Sequence, residues 1–249
     1  MANYGHLFEE QFIDALDNKS VRKLEHTMKW VLERIYGPMS NLKKVYCCRA
    51  EDFIKPDVVV TYNFRRVFIS LKTGTAQEVH REKIDTFIPF LRELGISEYT
   101  LKTIALFQFG DMTLNGTGTR RMDTNEIYKI LEKRIMEANE ELNRDKKTVQ
   151  KIMHRLLFKG VCDAAAEADY IYHGSLLDGI LVSQKQVKKY IDKKDFSFLA
   201  NLHIGPLLLR PHARYAGVPV KNEKSRREIT FYWPNFRADL EYIDKRFGI

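Results

Sequence analysis

Asp57, Ser70 and Lys72 bring a carboxylate, a hydroxyl and an amine into one short stretch of the chain. A carboxylate can hold a hard divalent cation, and an ammonium can orient a water or stabilise charge developing on a phosphate. Together they suit metal-dependent hydrolysis of a phosphodiester. A hard, oxygen-liganded ion such as Mg²⁺ fits this set better than zinc, because the seven histidines and three cysteines form no cluster with ligand spacing. Other chemistries lack their motifs. There is no Gly-x-Ser-x-Gly elbow, and the glycines between Gly110 and Arg121 are not followed by Gly-Lys-Ser/Thr as in a phosphate-binding loop.

The three residues act together only if local structure gathers them. Val58-Val59-Val60 is β-branched, Tyr62 to Arg66 holds a turn, and Val67, Ile69 and Leu71 alternate with Phe68, Ser70 and Lys72. That pattern predicts a hairpin whose second strand shows Ser70 and Lys72 on one face and its aliphatic residues on the other. A turn at Asn63-Phe64 sets Asp57 opposite Ser70; a turn at Phe64-Arg65 sets it opposite Lys72.

Elements on either side must support this hairpin. Gly5 to Asn18 reads as an amphipathic helix with Phe8, Phe12, Ile13, Ala15 and Leu16 on one arc. Glu9 falls inside that arc, where an acid has to be paired, protonated or metal-bound, or reach solvent at the edge. A second helix runs from Ser20 to Tyr36 and stops at Gly37-Pro38. Lys43 to Ala50 reads as a strand and Ala76 to Leu94 as a helix, while the apolar run Tyr99 to Phe109 fits either. A loop over 110–121 is followed by helices near 124–142 and 146–159. Short strands near 169–173 and 179–184, a basic helix near 185–194, and strands near 200–209 and 227–233 complete the chain. Alternating strands and helices imply a mixed α/β layer fold.

With 249 residues, 44% of them hydrophobic and 30% charged, the chain can bury a full core. No apolar run approaches membrane-spanning length, and Met1 to Gly5 lacks the basic start and apolar core of a signal peptide. The odd cysteine count without a Cys-x-x-Cys pair fits a reducing compartment, so a cytoplasmic protein is expected. A net charge of +8 favours a polyanionic partner, most simply nucleic acid.

Pro56-Asp57 followed by Ser70-Leu71-Lys72 resembles the Pro-Asp…(Asp/Glu)-x-Lys signature of the restriction-endonuclease-like nucleases. Gly5-His6-Leu7-Phe8-Glu9 is similar to the Gly-x-x-x-Glu of that family's first helix, whose glutamate can assist the metal. Over a longer span the chain looks most like the small type II restriction endonucleases that cut four-base GC-rich sites. The resemblance implies a restriction-endonuclease-like core, a central mixed β-sheet flanked by helices, with a strand-rich DNA-recognition part toward the C-terminus. Residues 1–110 would be the catalytic core, 111–160 a helical connection and 161–249 the recognition region, all packed as one compact unit. Asp57 would bind Mg²⁺, Lys72 would orient the water or stabilise the transition state, and Ser70 would fill the second acid position. Serine carries no charge, so the missing carboxylate is sought at Glu9 or on the following helix, where Glu78, Glu82 and Asp85 are available and Glu82 and Asp85 lie one turn apart.

For double-stranded DNA, Arg210, His212, Arg214 and Lys221 lie in a loop between late strands and supply donors suited to guanine edges. Asn115, Arg120 and Arg121 could do the same or grip phosphates, and Gln77, His80 and Arg81 follow closely on Lys72. The expectation is a sequence-specific endonuclease working as a homodimer or as a monomer cutting strands in turn, with a DNA methyltransferase as genetic partner. Its rivals are a structure-selective repair or junction nuclease on the same core and a non-catalytic basic nucleic-acid-binding protein.

Overall fold

The computed structural model of the chain describes residues 4–51, 55–73, 77–118, 120–162, 166–196, 201–212 and 223–248. In chain order the first half holds α1 (Tyr4–Leu16), β1 (Lys19–Ser20), α2 (His26–Tyr36), β2 (Lys44–Arg49), β3 (Val58–Tyr62), β4 (Arg65–Thr73), β5 (Glu78–Lys83), α3 (Ile84–Glu93) and α4 (Glu98–Phe109). The second half holds α5 (Thr124–Arg144), α6 (Lys146–His154), β6 (Tyr170–Gly174), β7 (Gly179–Ser183), α7 (Gln184–Lys193), β8 (His203–Ile204), β9 (Leu207–Pro211), α8 (Glu223–Arg226), β10 (Glu228–Tyr232) and α9 (Phe236–Phe247). They gather into two compact units, each assembled from separated stretches: 1–76, 157–190 and 235–249 in the first, 77–156 and 191–234 in the second. The boundaries between the units fall at 76/77, 156/157, 190/191 and 234/235. Strand pairing between distant segments sets those boundaries, and it leaves no mark in local composition.

The first unit is built on a six-stranded sheet in the order β1-β2-β3-β4-β6-β7. Its neighbours are antiparallel except β4 and β6, which run parallel, so the sheet is mixed. Phe8, Phe12 and Leu16 of α1 and Met28, Val31, Leu32 and Ile35 of α2 close over Val45, Cys47, Val58, Val60, Val67, Ile69 and Leu71. This is the aliphatic face expected of the hairpin, and burying it is what holds both helices to the sheet. On the opposite face Phe236 of α9 packs edge-on against His173 of β6, and Tyr190 of α7 meets Tyr242 of α9. Burial within this core pushes the Cys47 thiol up to about 12, which keeps it in its neutral form at neutral pH.

The second unit carries an antiparallel sheet in the order β5-β10-β9-β8. Here the helix expected over 76–94 divides in two: Glu78–Lys83 is strand β5, and only Ile84–Glu93 is helical. The charged run Glu78-Val79-His80-Arg81-Glu82-Lys83 looks helical by itself but becomes a strand because β10 pairs along its whole length. The ambiguous 99–109 run is helix α4, capped by Ser97, whose Oγ accepts the Thr100 N–H, and closed by Gly110 in the left-handed region. Residues 236–247, given no element by the sequence reading, form α9.

Candidate active site

The hairpin turn is Asn63-Phe64, with φ of 50° and 64°, the left-handed pair of a type I′ turn. It fixes the register from Tyr62↔Arg65 to Val58↔Ile69. The Asp57 N–H continues the ladder to the Ile69 carbonyl at 2.9 Å, and the Asp57 carbonyl accepts from Ala50 at 3.0 Å. Asp57 consequently stands opposite Ser70, the first of the two registers the sequence allows. Its Oδ2 accepts from Ser70 Oγ at 3.1 Å and from the Leu71 N–H at 2.5 Å. Ser70 is fully buried, whereas Asp57 and Lys72 are half-buried.

Lys72 lies on the Ser70 face, one pleat further along. Its ammonium makes no hydrogen bond or ion pair among the described residues, so it is available to a ligand. The same holds for Asp57 Oδ1. Among the described residues no group of three His, Cys, Asp or Glu side chains gathers to hold a metal. One free carboxylate oxygen nevertheless suits Mg²⁺, which is commonly held by one or two carboxylates with phosphate oxygens and water completing its shell.

The assisting acids are engaged elsewhere. Glu9 is paired, one of the outcomes its place in the apolar arc allows: its carboxylate meets His6 Nδ1 at 3.2 Å and Arg49 Nη2 at 3.5 Å. Arg49 stands opposite Val58, which puts this pair on the α1 side of the sheet, away from the Ser70–Lys72 face. In the second unit, Glu82 lies on β5 and not on a helix, with its side chain 1% exposed. Its Oε2 is 3.2 Å from His80 Nε2 and 3.3 Å from Arg155 Nε. Asp85, in the first turn of α3, is gripped by both Nε and Nη2 of Arg227. The Arg227 hydrogen bonds hold the Asp85 carboxyl below the usual carboxylate range. Glu82 and Asp85 therefore share no helix face. Glu78 binds Arg81 at 2.7 Å.

The residues assigned to DNA scatter within the second unit. Arg81 and Arg210 both stand opposite Thr230 of the central strand β10, so two exposed guanidinium groups flank it on one sheet face. Arg210 lies over the ring of Tyr232 at 4.6 Å. Tyr232 is a platform the sequence reading missed; the alternation of Glu228, Thr230 and Tyr232 along one face is the signal that marks it. Gln77 is exposed and donates to the Pro234 carbonyl at 2.8 Å. His80 stacks on Phe231, and His212 is 3.8 Å from Glu228. Asn115 spends its Oδ1 on Thr117, closing the 111–118 loop. Arg120 is exposed but paired with Glu126 at 2.6 Å, whereas Arg121 is only 4% exposed and sits in the interior. Burial sets Arg121 against the expectation that it reads a guanine edge or grips a phosphate, since either role needs an exposed guanidinium. Arg214 and Lys221 lie outside the described residues.

The mixed central sheet flanked by helices is a fold shared with a restriction endonuclease of known structure. Among solved structures the chain is similar to restriction endonuclease MspI in complex with its cognate DNA. The TM-score is 0.58 at 13% sequence identity, over 91% of this chain and 88% of that one. No protein-family model matches the sequence, and no curated protein sequence matches it. At this identity the likeness is one of fold. Among the described residues no helix is long and apolar enough to cross a membrane.

Proposed function

We propose that the chain is a Mg²⁺-dependent, sequence-specific endonuclease of double-stranded DNA, a type II restriction enzyme for a short palindromic GC-rich site. The observation that carries this reading is the Asp57–Ser70–Lys72 grouping on one face of the central hairpin. Its support is the fold shared with an endonuclease whose structure holds DNA, together with the net charge of +8. Asp57 would hold the ion through its free Oδ1, while Ser70 and the Leu71 N–H fix the carboxylate by its other oxygen. When bound, Mg²⁺ supplies charge neutralisation at the scissile phosphate and a more acidic water. Lys72 orients the attacking water or donates to a phosphate oxygen as negative charge builds. Arg81, Arg210 and Tyr232 would meet the duplex, the arginines as fork donors to guanine edges or phosphate.

Plasmid digestion with and without Mg²⁺ tests the reading. Discrete fragments are expected, and Asp57→Ala or Lys72→Ala should each lower cleavage by about 10²–10³-fold or more. Uncut plasmid across several divalent metals and salts would overturn it. Cleavage confined to branched or damaged DNA would favour a repair nuclease on the same core. Run-off sequencing of the ends gives site and stagger together, and sedimentation with cognate DNA decides between a dimer and a monomer cutting twice. A DNA methyltransferase encoded beside the gene would supply the partner that such a cytoplasmic activity requires.

A further inference from the structure

The sheet order places β4 between β3 and β6, so the working face of β4 has a neighbour on each side. On the β3 side, Ser70 meets Asp57. On the β6 side, the parallel register pairs Lys72 with His173 and Ser70 with Ile171. Paired positions on adjacent strands point to the same face, so His173 shares the face of Lys72. Tyr172 confirms the phase by turning the other way, where it packs against Phe8 and Phe12.

His173 is 1% exposed, and its Nδ1 has no hydrogen-bond partner among the described residues. A buried unpaired nitrogen is unfavourable, and an aliphatic side chain would avoid it, as Ile171 does one pleat earlier. The ring is also firmly placed. It sits edge-on to Phe236 at 4.9 Å and 85°. The hairpin after it is locked by the Tyr172 hydroxyl on the Ser175 carbonyl and by Ser175 Oγ accepting from Leu177 and Asp178. Burial holds the imidazole below its usual range, reinforced by Arg237 and opposed by Glu241 and Asp178.

We propose that His173 is a positioning residue for Lys72, its Nδ1 acting as the neutral acceptor that steadies the lysine ammonium for work on the phosphate. Neighbouring strands lie about 4.8 Å apart, well within the reach of a lysine side chain. A neutral acceptor suits this place better than a charged one. A carboxylate would pair with Lys72 and draw it off the phosphate, and a cation would repel it. The proposal rests on the nuclease reading only in what Lys72 is steadied for; the pairing of the two positions across β4 and β6 is independent of it, and neither Lys72 Nζ nor His173 Nδ1 is engaged by another described residue in this structure.

The test compares His173→Asn, which keeps an acceptor the same number of bonds from Cα, with His173→Leu, which keeps the bulk alone. His173→Leu should lower kcat for plasmid cleavage by about 10- to 100-fold with KM nearly unchanged, while His173→Asn stays close to wild type. Equal loss in both variants, or none in His173→Leu, overturns the proposal. The second readout is the Lys72 ε-methylene NMR resonance, identified by its absence in Lys72→Arg. Both variants lose the imidazole ring current, so the comparison is between them: the resonance should lie nearer the free-lysine position in His173→Leu than in His173→Asn. If the wild type cleaves no DNA, the nuclease reading falls and this resonance alone decides, the same position in both variants overturning the contact. Thermal midpoints check folding, and His173→Met replaces the leucine variant if that one does not fold.

Discussion

Ser70 and Asp57 face each other across β3 and β4, and the serine hydroxyl donates to the same Asp57 oxygen that receives the Leu71 N–H. One carboxylate oxygen is thereby tied to the sheet while the other makes no hydrogen bond among the described residues. In the signature that Pro56-Asp57 and Ser70-Leu71-Lys72 resemble, this position carries a second acid; here it carries a donor that fixes Asp57.

Two substitutions separate these roles. Ser70→Ala removes one hydrogen bond from a buried site and should cost about 1 kcal/mol in urea unfolding, with a modest fall in cleavage rate. Ser70→Asp puts a second carboxylate beside Asp57. Without divalent ions it should be less stable than wild type, since like charges repel. Adding Mg²⁺ should raise its melting temperature more than that of the wild type, because an ion that binds only the folded state stabilises by mass action.

Glu82→Gln addresses the other acid. With its side chain 1% exposed, Glu82 lies between the His80 imidazole and the Arg155 guanidinium in the interior of the second unit. Removing its charge leaves Arg155 uncompensated, and the expected loss of stability is about 3 kcal/mol by chemical denaturation. A stable Glu82→Gln protein whose cleavage needs far more Mg²⁺ would instead make Glu82 a metal ligand.

The hairpin turn offers a gain. Phe64 has φ of 64° and a fully exposed ring, so a bulky residue occupies a left-handed position without packing in return. Phe64→Gly produces the Asn-Gly pair that type I′ turns favour. Relief of the left-handed penalty, less the greater chain entropy of glycine, should raise stability by about 0.5–1 kcal/mol. Cleavage should not change, because the turn closes the far end of the hairpin from Asp57 and Lys72.

Acid should weaken the fold through His173 and His203. Burial holds both below the ordinary histidine range. The unfolded chain therefore takes up these protons first, near pH 6.5, so stability is intact above that pH and is lost as pH falls toward the folded-state values. Urea midpoints between pH 7.5 and 5 should show this slope, and His173→Asn should flatten it.

Much of the first unit was legible because its signals are local. The period-two alternation of Val67 to Lys72 sorts that strand into two faces, and the arc of Phe8, Phe12 and Leu16 marks the buried side of α1. Glu9 stood out for the same reason, as an acid on an apolar arc, although the arc alone left open whether it is paired or reaches solvent. The second unit was less legible. β5 is charged along its length and owes its conformation to β10, which lies far along the chain.

By itself the sequence determined the chemistry available and the face on which it stands. Strand alternation puts Ser70 beside Lys72 whatever the rest of the chain does, because successive side chains point to opposite sides. Tertiary structure decided which residues complete the group. The Asn63-Phe64 turn chose between two registers and gave Asp57 to Ser70. Parallel pairing of β4 with β6 brought His173 to the other flank of Lys72, and packing against α1 directed Glu9 to Arg49. Those outcomes depend on contacts between segments distant in sequence, whose pairing is fixed by the burial of a shared core and not by any one stretch of residues.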